Sequence, residues 1–361
     1  MKRVAIYGAG DQGRIFFDAI RKDGVGVNLF IDQFTSIKEL FGVPVLRLSD
    51  VQKKESTIVY ISIAMDDRSG TDLVATLRSE GFVEVIDFVS AMGRHPAILS
   101  KFFYESALWM RPDPSEMINA KELERVEALL SDEDSRSCLR LLIRFRETMS
   151  PEHYPVPDGQ NEYFPSDIDL FSGIDRLRFA DCGAYRGDTV LDVLGLGRPV
   201  EYIASFEPDP ANLAKLEHAI GHVAPKNPDI RFFVFNMGVW SRPDLLRFNC
   251  NSGSSSSIHM GAGEEGRDTM SIPVTSLDIA LYGAAPNFIK MDIEGAEGEA
   301  LKGCRQIIER YNPVMAVCVY HKPRDLWELP LFIQDNYPGY RMYLRLHSHL
   351  GTSTVLYCVP P

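Results

Sequence analysis

Two glycine-rich turns, each directly after a short apolar run and before a helical stretch, restrict the fold of this 361-residue chain more than any other feature. They are GAGDQG at 8–13 and DCGAYRG at 181–187. A strand, a glycine turn and a helix in this order are typical of parallel sheets with right-handed crossovers. The chain is also long enough for two domains. We therefore expect two α/β units.

Apolar runs and helical stretches alternate through the first part of the chain. Strands are predicted at 4–8, 27–32, 57–64 and 83–88, and helices at 13–22 and 72–81. Amphipathic helices at 122–130 and 135–149 follow, in a region without strand signals. The pattern predicts a small parallel-sheet domain over 1–95 and a helical linker over 96–170.

The rest of the chain carries further strand signals. They lie at 177–183, 202–209, 230–236, 288–295 and 314–320, followed by a hairpin of YRMYLRLHS and STVLYCV. Helices are predicted at 211–220 and 297–303. Five buried parallel strands and an antiparallel hairpin outline the seven-stranded sheet of class I methyltransferases, here over 171–361. The predicted fold class is α/β, with two Rossmann-like domains joined by a helical segment.

Composition argues against several classes of partner. The net charge of −12 disfavours binding to nucleic acid and to anionic membrane surfaces, because both bind clusters of Lys and Arg. The six cysteines are scattered without a C-x-x-C pair, so we expect reduced thiols in a cytoplasmic protein. No stretch approaches the roughly 18 apolar residues of a membrane span. The sequence leaves the oligomeric state open, a homo-oligomer included.

The first glycine turn has the spacing of a dinucleotide-binding loop. Gly8, Gly10 and Gly13 suit a tight turn near a phosphate, and Asp32 ends the next strand, where a ribose-binding acid is expected. The alternative is that these glycines serve only the packing of a βαβ unit. FIDQ and FGVPVLRLSDV resemble the amino-terminal domain of bacterial sugar O-acyltransferases, which implies an accessory nucleotide or sugar site. Only about 90 residues accompany this loop, which disfavours an NAD-dependent oxidoreductase.

The second glycine turn is followed by acids at the ends of successive strands. Asp181 ends one strand, and Gly183 and Gly187 allow a bound group to approach the backbone closely. Glu207 ends the next strand, where a carboxylate would accept hydrogen bonds from a ribose diol. The third strand ends at 236–237, where a sheet of this type usually meets an adenine.

The fourth strand runs into MDIEGAE, which places three carboxylates within six residues. A plain structural alternative is that Glu294 and Glu297 only favour the positive end of the following helix. Asp292 and Glu294 also suit Mg²⁺, but no third ligand is apparent, so no metal site is predicted.

Several segments together resemble the FkbM-type methyltransferase family: DCGAYRGDT, SFEPDPANLAKL, VTSLD, FIKMDIEGAEGEALKG, the histidine of VYHKPRDLWELP and the terminal YLRLHSHLGTSTVLYCVP. The resemblance covers about 170–361, and MDIEGAE is its most specific part. It implies transfer of a methyl group from S-adenosylmethionine to oxygen, often on polyketides or saccharides. Tyr185 departs from the three closely spaced glycines that are usual in this fold.

The resulting hypothesis assigns residues to the donor and to catalysis. The donor-binding residues are Asp181, Gly183, Ala184, Tyr185, Gly187, Asp188, Thr189, Glu207, Pro208, Asn236, Met237 and Asp292. The catalytic candidates are His321, Asp292 and Glu294. His321 is the first choice of general base because histidine titrates near neutrality, and Asp292 is the second. Alignment of the acceptor should contribute more than the base.

The predicted function is O-methylation of a sugar, nucleotide-sugar or related polyol or secondary metabolite, with a saccharide or other small molecule as the acceptor. The alternative is a nucleotide- or sugar-binding protein with a catalytically silent methyltransferase fold, because a fold alone does not establish activity. The Gly/Ser-rich stretch 249–268 is either a linker or a flap over the acceptor.

Overall fold

The computed structural model describes residues 2–63, 67–98, 117–148, 150–157, 159–249 and 269–361. The predicted flap at 249–268 falls outside these ranges except for its first residue. The chain divides into two compact units. One comprises Met1–Ile118, Ser137–Gly159 and Leu346–Ser353, and the other comprises Asn119–Arg136, Gln160–Arg345 and Thr354–Pro361. The domain boundaries drawn from the sequence stay predictions.

The amino-terminal unit is built on one sheet. Its strands are β1 (Arg3–Tyr7), β2 (Leu29–Ile31), β3 (Glu39–Leu40), β4 (Val43–Leu46), β5 (Thr57–Ile61) and β6 (Glu84–Ile86), and its helices include α1 (Asp11–Lys22), α2 (Asp67–Ser79) and α3 (Phe88–Arg94). The sheet order is β3-β4-β2-β1-β5-β6, and all its pairings except β3–β4 are parallel. The predicted parallel sheet is confirmed, whereas the short β3–β4 hairpin was not predicted.

Eight helices and ten strands follow along the described part of the chain. The helices are α4 (Ala120–Leu129), α5 (Glu133–Thr148), α6 (Asp188–Gly195), α7 (Pro210–Val223), α8 (Leu277–Ala280), α9 (Glu297–Gly303), α10 (Arg305–Tyr311) and α11 (Asp325–Asn336). The strands are β7 (Leu177–Cys182), β8 (Val200–Phe206), β9 (Arg231–Phe235), β10 (Gly238–Val239), β11 (Asp244–Asn249), β12 (Thr269–Thr275), β13 (Phe288–Met291), β14 (Val314–Cys318), β15 (Arg341–Leu346) and β16 (Thr354–Val359). Short 3₁₀ turns occur at Leu48–Asp50, Lys54–Ser56, Pro151–His153, Ala224–Lys226 and His349–Gly351.

The carboxyl-terminal unit contains the predicted seven-stranded sheet, in the order β15-β16-β14-β13-β7-β8-β9. Its central strands are parallel, and β16 runs antiparallel to β14. Strands β13 and β14 are buried at every residue because the sheet continues on both sides of them. β9 differs from the expected buried strand: it is the edge of the sheet, and Phe233 on it is 42% exposed.

A second, three-stranded sheet of order β10-β12-β11 was not predicted. Its core is a small cluster that includes Trp240, Ile272 and Val274. No helix among the described residues combines the length and the apolarity needed to cross a bilayer.

Candidate active site

The turn after β7 brings the backbones of two strands into close contact. Gly183 has a φ of +83°, and a Cβ atom built on it would lie 1.9 Å from the carbonyl oxygen of Asp292. The Asp292 amide donates to the carbonyl of Cys182 at 3.1 Å, which closes the same approach. Only glycine fits at 183. This turn and the ends of β8, β13 and β14 share one edge of the sheet, where their polar side chains meet.

The predicted donor loop continues into α6. The Ala184 amide donates to the carbonyl of Phe206 at 3.0 Å, which ties the loop to β8. Gly187 has a positive φ at the residue before α6, and its missing side chain leaves room for Leu216 of α7. Asp188 and Thr189 form the first turn of α6, the first exposed and the second buried.

Asp181 and Lys290 form a buried ion pair behind this loop. The Lys290 ammonium lies 3.1 Å from Asp181 Oδ1 and donates to the carbonyl of Gly183. Burial raises the pKa of Asp181 to about 6, and Lys290 opposes that rise. Neither oxygen of Asp181 receives an aligned hydrogen bond from the described residues, although both are buried. The carboxylate therefore keeps acceptor capacity for a bound molecule.

Glu207 at the end of β8 is held by two backbone amides. Its Oε2 accepts from Tyr185 at 2.8 Å and its Oε1 accepts from Asp209 at 2.8 Å. Burial raises the pKa of Glu207 to about 7. A carboxylate has about four lone-pair directions, so roughly half remain free. Tyr185 makes this contact with a φ of +46°, in the left-handed region that glycine adopts easily. The position where this chain departs from the glycine-rich pattern therefore still has a backbone conformation that favours glycine.

The predicted adenine-facing residues lie at the turns after β8 and β9. Pro208 and Met237 are half-buried, and Asn236 is exposed. Pro208 lies next to Gly238, whose ideal Cβ position would be 3.9 Å from the Pro208 ring.

Asp292, after β13, accepts contacts from three side chains. The Tyr163 hydroxyl donates to Oδ2 at 2.7 Å, and the Tyr320 hydroxyl donates more weakly to Oδ1 at 3.4 Å. His321 Nε2 lies 3.2 Å from Oδ1. Burial of Asp292 acts against ionisation, but His321, Lys290 and Tyr163 hold its pKa well below its ordinary value. Its side chain is 24% exposed, so the carboxylate is fixed yet accessible.

His321 lies between carboxylates at the end of β14. Its Nδ1 is 2.9 Å from Glu297 Oε1, and its Nε2 is 3.7 Å from Glu294 Oε2. Burial would lower the pKa of His321, but Glu297 and Asp292 raise it well above the ordinary value. Burial raises the pKa of Glu294 to about 8. The His321 side chain is only 2% exposed, so Asp292 is better placed than His321 to touch an acceptor.

The magnesium alternative pairs Asp292 with Glu294, and the candidate ligands among the described residues are grouped differently. Among the described residues, two groups of side chains bring possible ligand atoms together: Glu162 with Asp292 and Cys318, and Glu297 with His321 and Asp325. Asp292 belongs to the first group, and Glu294 belongs to neither.

Sequence reasoning missed three residues of the site. Tyr163 lies in the Pro-rich stretch interpreted as a linker or rim loop, where no periodic pattern marks a functional residue. Lys290 carried a usable signal, because a lysine within the apolar FIKM strand must find a partner when buried. Tyr320 was placed in the predicted strand 314–320 but was not assigned to the site.

The first glycine turn has a different character. Gly8 has a φ of +105°, and a Cβ on Gly13 would lie 2.2 Å from the Gly8 carbonyl oxygen. Asp32 accepts hydrogen bonds from the amides of Ala9, Phe34 and Thr35 at 2.8–2.9 Å. Partial burial opposes ionisation, but these amides keep its pKa below the ordinary value. Gly8, Gly13 and Asp32 thus serve the fold directly, whereas a Cβ built on Gly10 would have no described atom within 4 Å. The nucleotide or sugar site stays a prediction.

Comparison with known proteins identifies one family model and two solved structures to which the chain is similar. Residues 181–349 match the family model of the methyltransferase FkbM domain. The chain is similar to the crystal structure of methyltransferase FkbM from Methylobacillus flagellatus KT, with a TM-score of 0.61 and 23% identity over 99% of this chain and 90% of that chain. An rRNA methylase from Streptococcus thermophilus reaches a TM-score of 0.32 and 12% identity over 51% of this chain and 86% of that chain. No curated protein matches the chain.

Proposed function

We propose that the protein transfers a methyl group from S-adenosylmethionine to a hydroxyl of a sugar, nucleotide-sugar or related polyol, because residues 181–349 match the family model of the methyltransferase FkbM domain. The observation that carries this proposal is the meeting of Asp181, Gly183, Glu207 and Asp292 at one edge of the sheet. The edge combines a close backbone approach with carboxylates fixed at the ends of three strands.

The residues present fit this donor. The space at Gly183 is one that a Cβ atom would fill, and Asp181 offers buried carboxylate oxygens without aligned partners among the described side chains. Glu207 is positioned to accept hydrogen bonds from a ribose diol. An acidic edge also suits the positive charge of the donor. When bound, the donor supplies an electrophilic methyl group.

The chain's own contribution is to hold the acceptor. Asp292 accepts a hydrogen bond from the acceptor hydroxyl and aligns it, while Tyr163 and His321 fix the carboxylate. Because its low pKa makes Asp292 a weak base, the proton that the hydroxyl loses on methyl transfer passes along this hydrogen bond to water. Alignment of this kind contributes roughly 7–11 kcal/mol in well-oriented reactions. Glu294, 20% exposed beside His321, offers a second polar group for a neighbouring hydroxyl. Two such groups at one rim favour an acceptor with several hydroxyls.

The test is a transfer assay with isotope-labelled donor and separate pools of saccharides, nucleotide sugars and amines, with products identified by mass spectrometry. We expect methyl ethers from a hydroxyl-bearing pool. Asp292→Asn should lower the transfer rate by about 10²-fold while calorimetry still detects donor binding. Absence of donor binding in the wild-type protein, or transfer only to amines, would contradict the proposal. Donor binding without transfer to any pool would favour the silent-fold alternative.

A further inference from the structure

Three buried side chains converge behind Asp292, from the end of β14 and from the first turns of α9 and α11. They are Glu297, His321 and Asp325, and one ligand atom from each lies within 4.8 Å of the other two. All three are buried: the exposed fraction of the whole residue, backbone included, is 0% for Glu297, 4% for His321 and 5% for Asp325. Acids are rarely buried this completely without a partner for their charge.

The hydrogen bonds within this cluster are incomplete. Glu297 Oε2 and both ring nitrogens of His321 have no aligned hydrogen-bond partner among the described residues. The ring nitrogen lies 2.9 Å from Glu297 Oε1, but without the alignment of a hydrogen bond. A buried polar atom left unsatisfied typically costs about 1–3 kcal/mol. The oxygen and the nitrogen are therefore available to a further atom placed between them.

Backbone amides orient the two carboxylates from outside. Glu297 Oε1 accepts from Ile293 at 3.0 Å and from Gly295 at 3.4 Å, and Asp325 Oδ2 accepts from Lys322 at 2.7 Å. One oxygen of each acid is thus fixed by a backbone amide, and Glu297 Oε2 stays without a partner among the described residues. Outer contacts of this kind orient the ligands of metal sites.

His321 also has the environment of a metal-binding histidine on its far side. A histidine that binds a metal through one ring nitrogen almost always donates its other N–H to a carboxylate, a carbonyl or water. Here Nε2 lies 3.2 Å from Asp292 Oδ1, near a carboxylate although not aligned as a hydrogen bond, on the side of the ring away from the cluster. Nδ1 is then the nitrogen that faces Glu297.

We propose that Glu297, His321 and Asp325 bind one divalent transition-metal ion of the Zn²⁺ type, which fixes His321 behind Asp292. One imidazole and two carboxylates suit Zn²⁺ better than Mg²⁺ or Ca²⁺, which prefer oxygen ligands. Ligand atoms around a four-coordinate zinc lie roughly 3.4 Å apart, so a small contraction completes the site. This inference replaces the sequence-based expectation of no metal. It does not depend on the methyl-transfer proposal, because metal binding is measured without donor or acceptor.

The experiment titrates the chelator-treated full chain with Zn²⁺ alone against a competing metal indicator. We expect one tightly bound ion per chain, and Glu297→Gln and Asp325→Asn should each weaken its binding by at least about tenfold. Circular dichroism verifies that each variant is folded, and the second variant replaces the first if one does not fold. X-ray absorption of the zinc-loaded protein should show a single imidazole ligand.

The matched control addresses an exposed histidine pair on α7. The rings of His218 and His222 lie 4.3 Å apart, so this pair is an alternative surface site for zinc. His218→Asn should leave the tight site unchanged. The proposal is overturned if the wild-type chain binds no stoichiometric Zn²⁺, if both acid variants bind as tightly as the wild type, or if the spectrum shows two imidazoles and His218→Asn abolishes binding.

Discussion

Asp292 receives its shortest hydrogen bond from Tyr163, a residue that no motif marks. Tyr163 lies outside the 181–349 family match and is itself fixed, because its amide donates to the Tyr357 hydroxyl at 3.1 Å. The Lys290 ammonium also lies 5.0 Å from the centre of the Tyr163 ring. The tyrosine is therefore a positioning residue for the proposed reaction, acting through Asp292.

Replacing Tyr163 and Tyr320 separately distinguishes their contributions. Tyr163→Phe removes a 2.7 Å hydrogen bond to a carboxylate, worth about 1.5–3 kcal/mol, so kcat/KM for methyl transfer should fall roughly 10- to 100-fold. Tyr320→Phe removes a contact at 3.4 Å and should have a much smaller effect. Steady-state kinetics on both variants measures the difference, with donor affinity from calorimetry as the control. Equal losses in the two variants would contradict the assignment.

Glu207 makes a pH-dependent prediction, because burial raises its pKa to about 7. The ionised carboxylate accepts hydrogen bonds from a diol, and the protonated form accepts fewer. Donor affinity should thus fall as the pH decreases from about 8 to about 6, by up to tenfold per pH unit below the pKa. Calorimetry across this range should show weaker and flatter binding for Glu207→Gln, by one to two decades. A parallel decline in both proteins would assign the titration to another group.

At the scale of elements, the register between β13 and β7 determines whether Lys290 and Asp181 form their ion pair. Lys290 pairs directly with Asp181 across these parallel strands, and both side chains are at least 97% buried. A shift of one residue would turn Lys290 to the opposite face of the sheet and leave Asp181 without its counter-charge. The ion pair therefore favours one register for the central strands.

Lys290→Met should lower the free energy of unfolding by about 3–5 kcal/mol, because it leaves a buried carboxylate uncompensated. The double variant with Asp181→Asn should recover part of that loss. Lys302→Met is the matched control: its ion pair with Glu299 on α9 is exposed, and its loss should cost less than about 1 kcal/mol. Urea denaturation measures all three, and equal effects of the two lysine substitutions would refute the argument.

The elements that could be predicted are those with their own sequence pattern. Buried β14 is a continuous apolar run, β13 is an apolar run interrupted only by Lys290, and the acids at strand ends follow from their position in the chain. The sheet of β10, β12 and β11 was missed because β10 spans only two residues and β11 exposes Leu245, an apolar residue that would be expected to be buried. Tyr163 could not be predicted because it acts through a contact across 129 residues of sequence, which no local pattern encodes. The buried environment of His321 likewise depends on α9 and α11 together.

At the scale of the whole molecule, the carboxyl-terminal unit extends beyond the matched domain. Arg345 on β15 donates to Asp132 and Asp167 at 2.7 Å each and to the Ser135 hydroxyl at 2.9 Å. Its side chain is only 5% exposed. The Ser131 amide also donates to the carbonyl of Met342 at 2.8 Å. These contacts make residues 119–136 part of the unit that carries the site.

Arg345→Met should lower the free energy of unfolding by about 2–3 kcal/mol and speed hydrogen exchange at 120–136, because it removes charged hydrogen bonds from that segment. Denaturation and hydrogen-exchange mass spectrometry measure the two effects. Arg341→Met on the same strand is the control, since Arg341 is exposed and its hydrogen bond to the carbonyl of Pro360 is long, at 3.4 Å. Unchanged exchange at 120–136 would show that the segment is held by other contacts.

The chain passes between the two units after residues 118, 136, 159, 345 and 353. During synthesis, therefore, neither unit has its full sequence available for folding until part of the other unit has also been synthesised. The amino-terminal unit lacks Leu346–Ser353 until almost all of the described chain has been synthesised, although its sheet is complete by residue 86. Neither unit can be transplanted as one contiguous segment, so variants of this protein are better built by substitution than by exchange of domains.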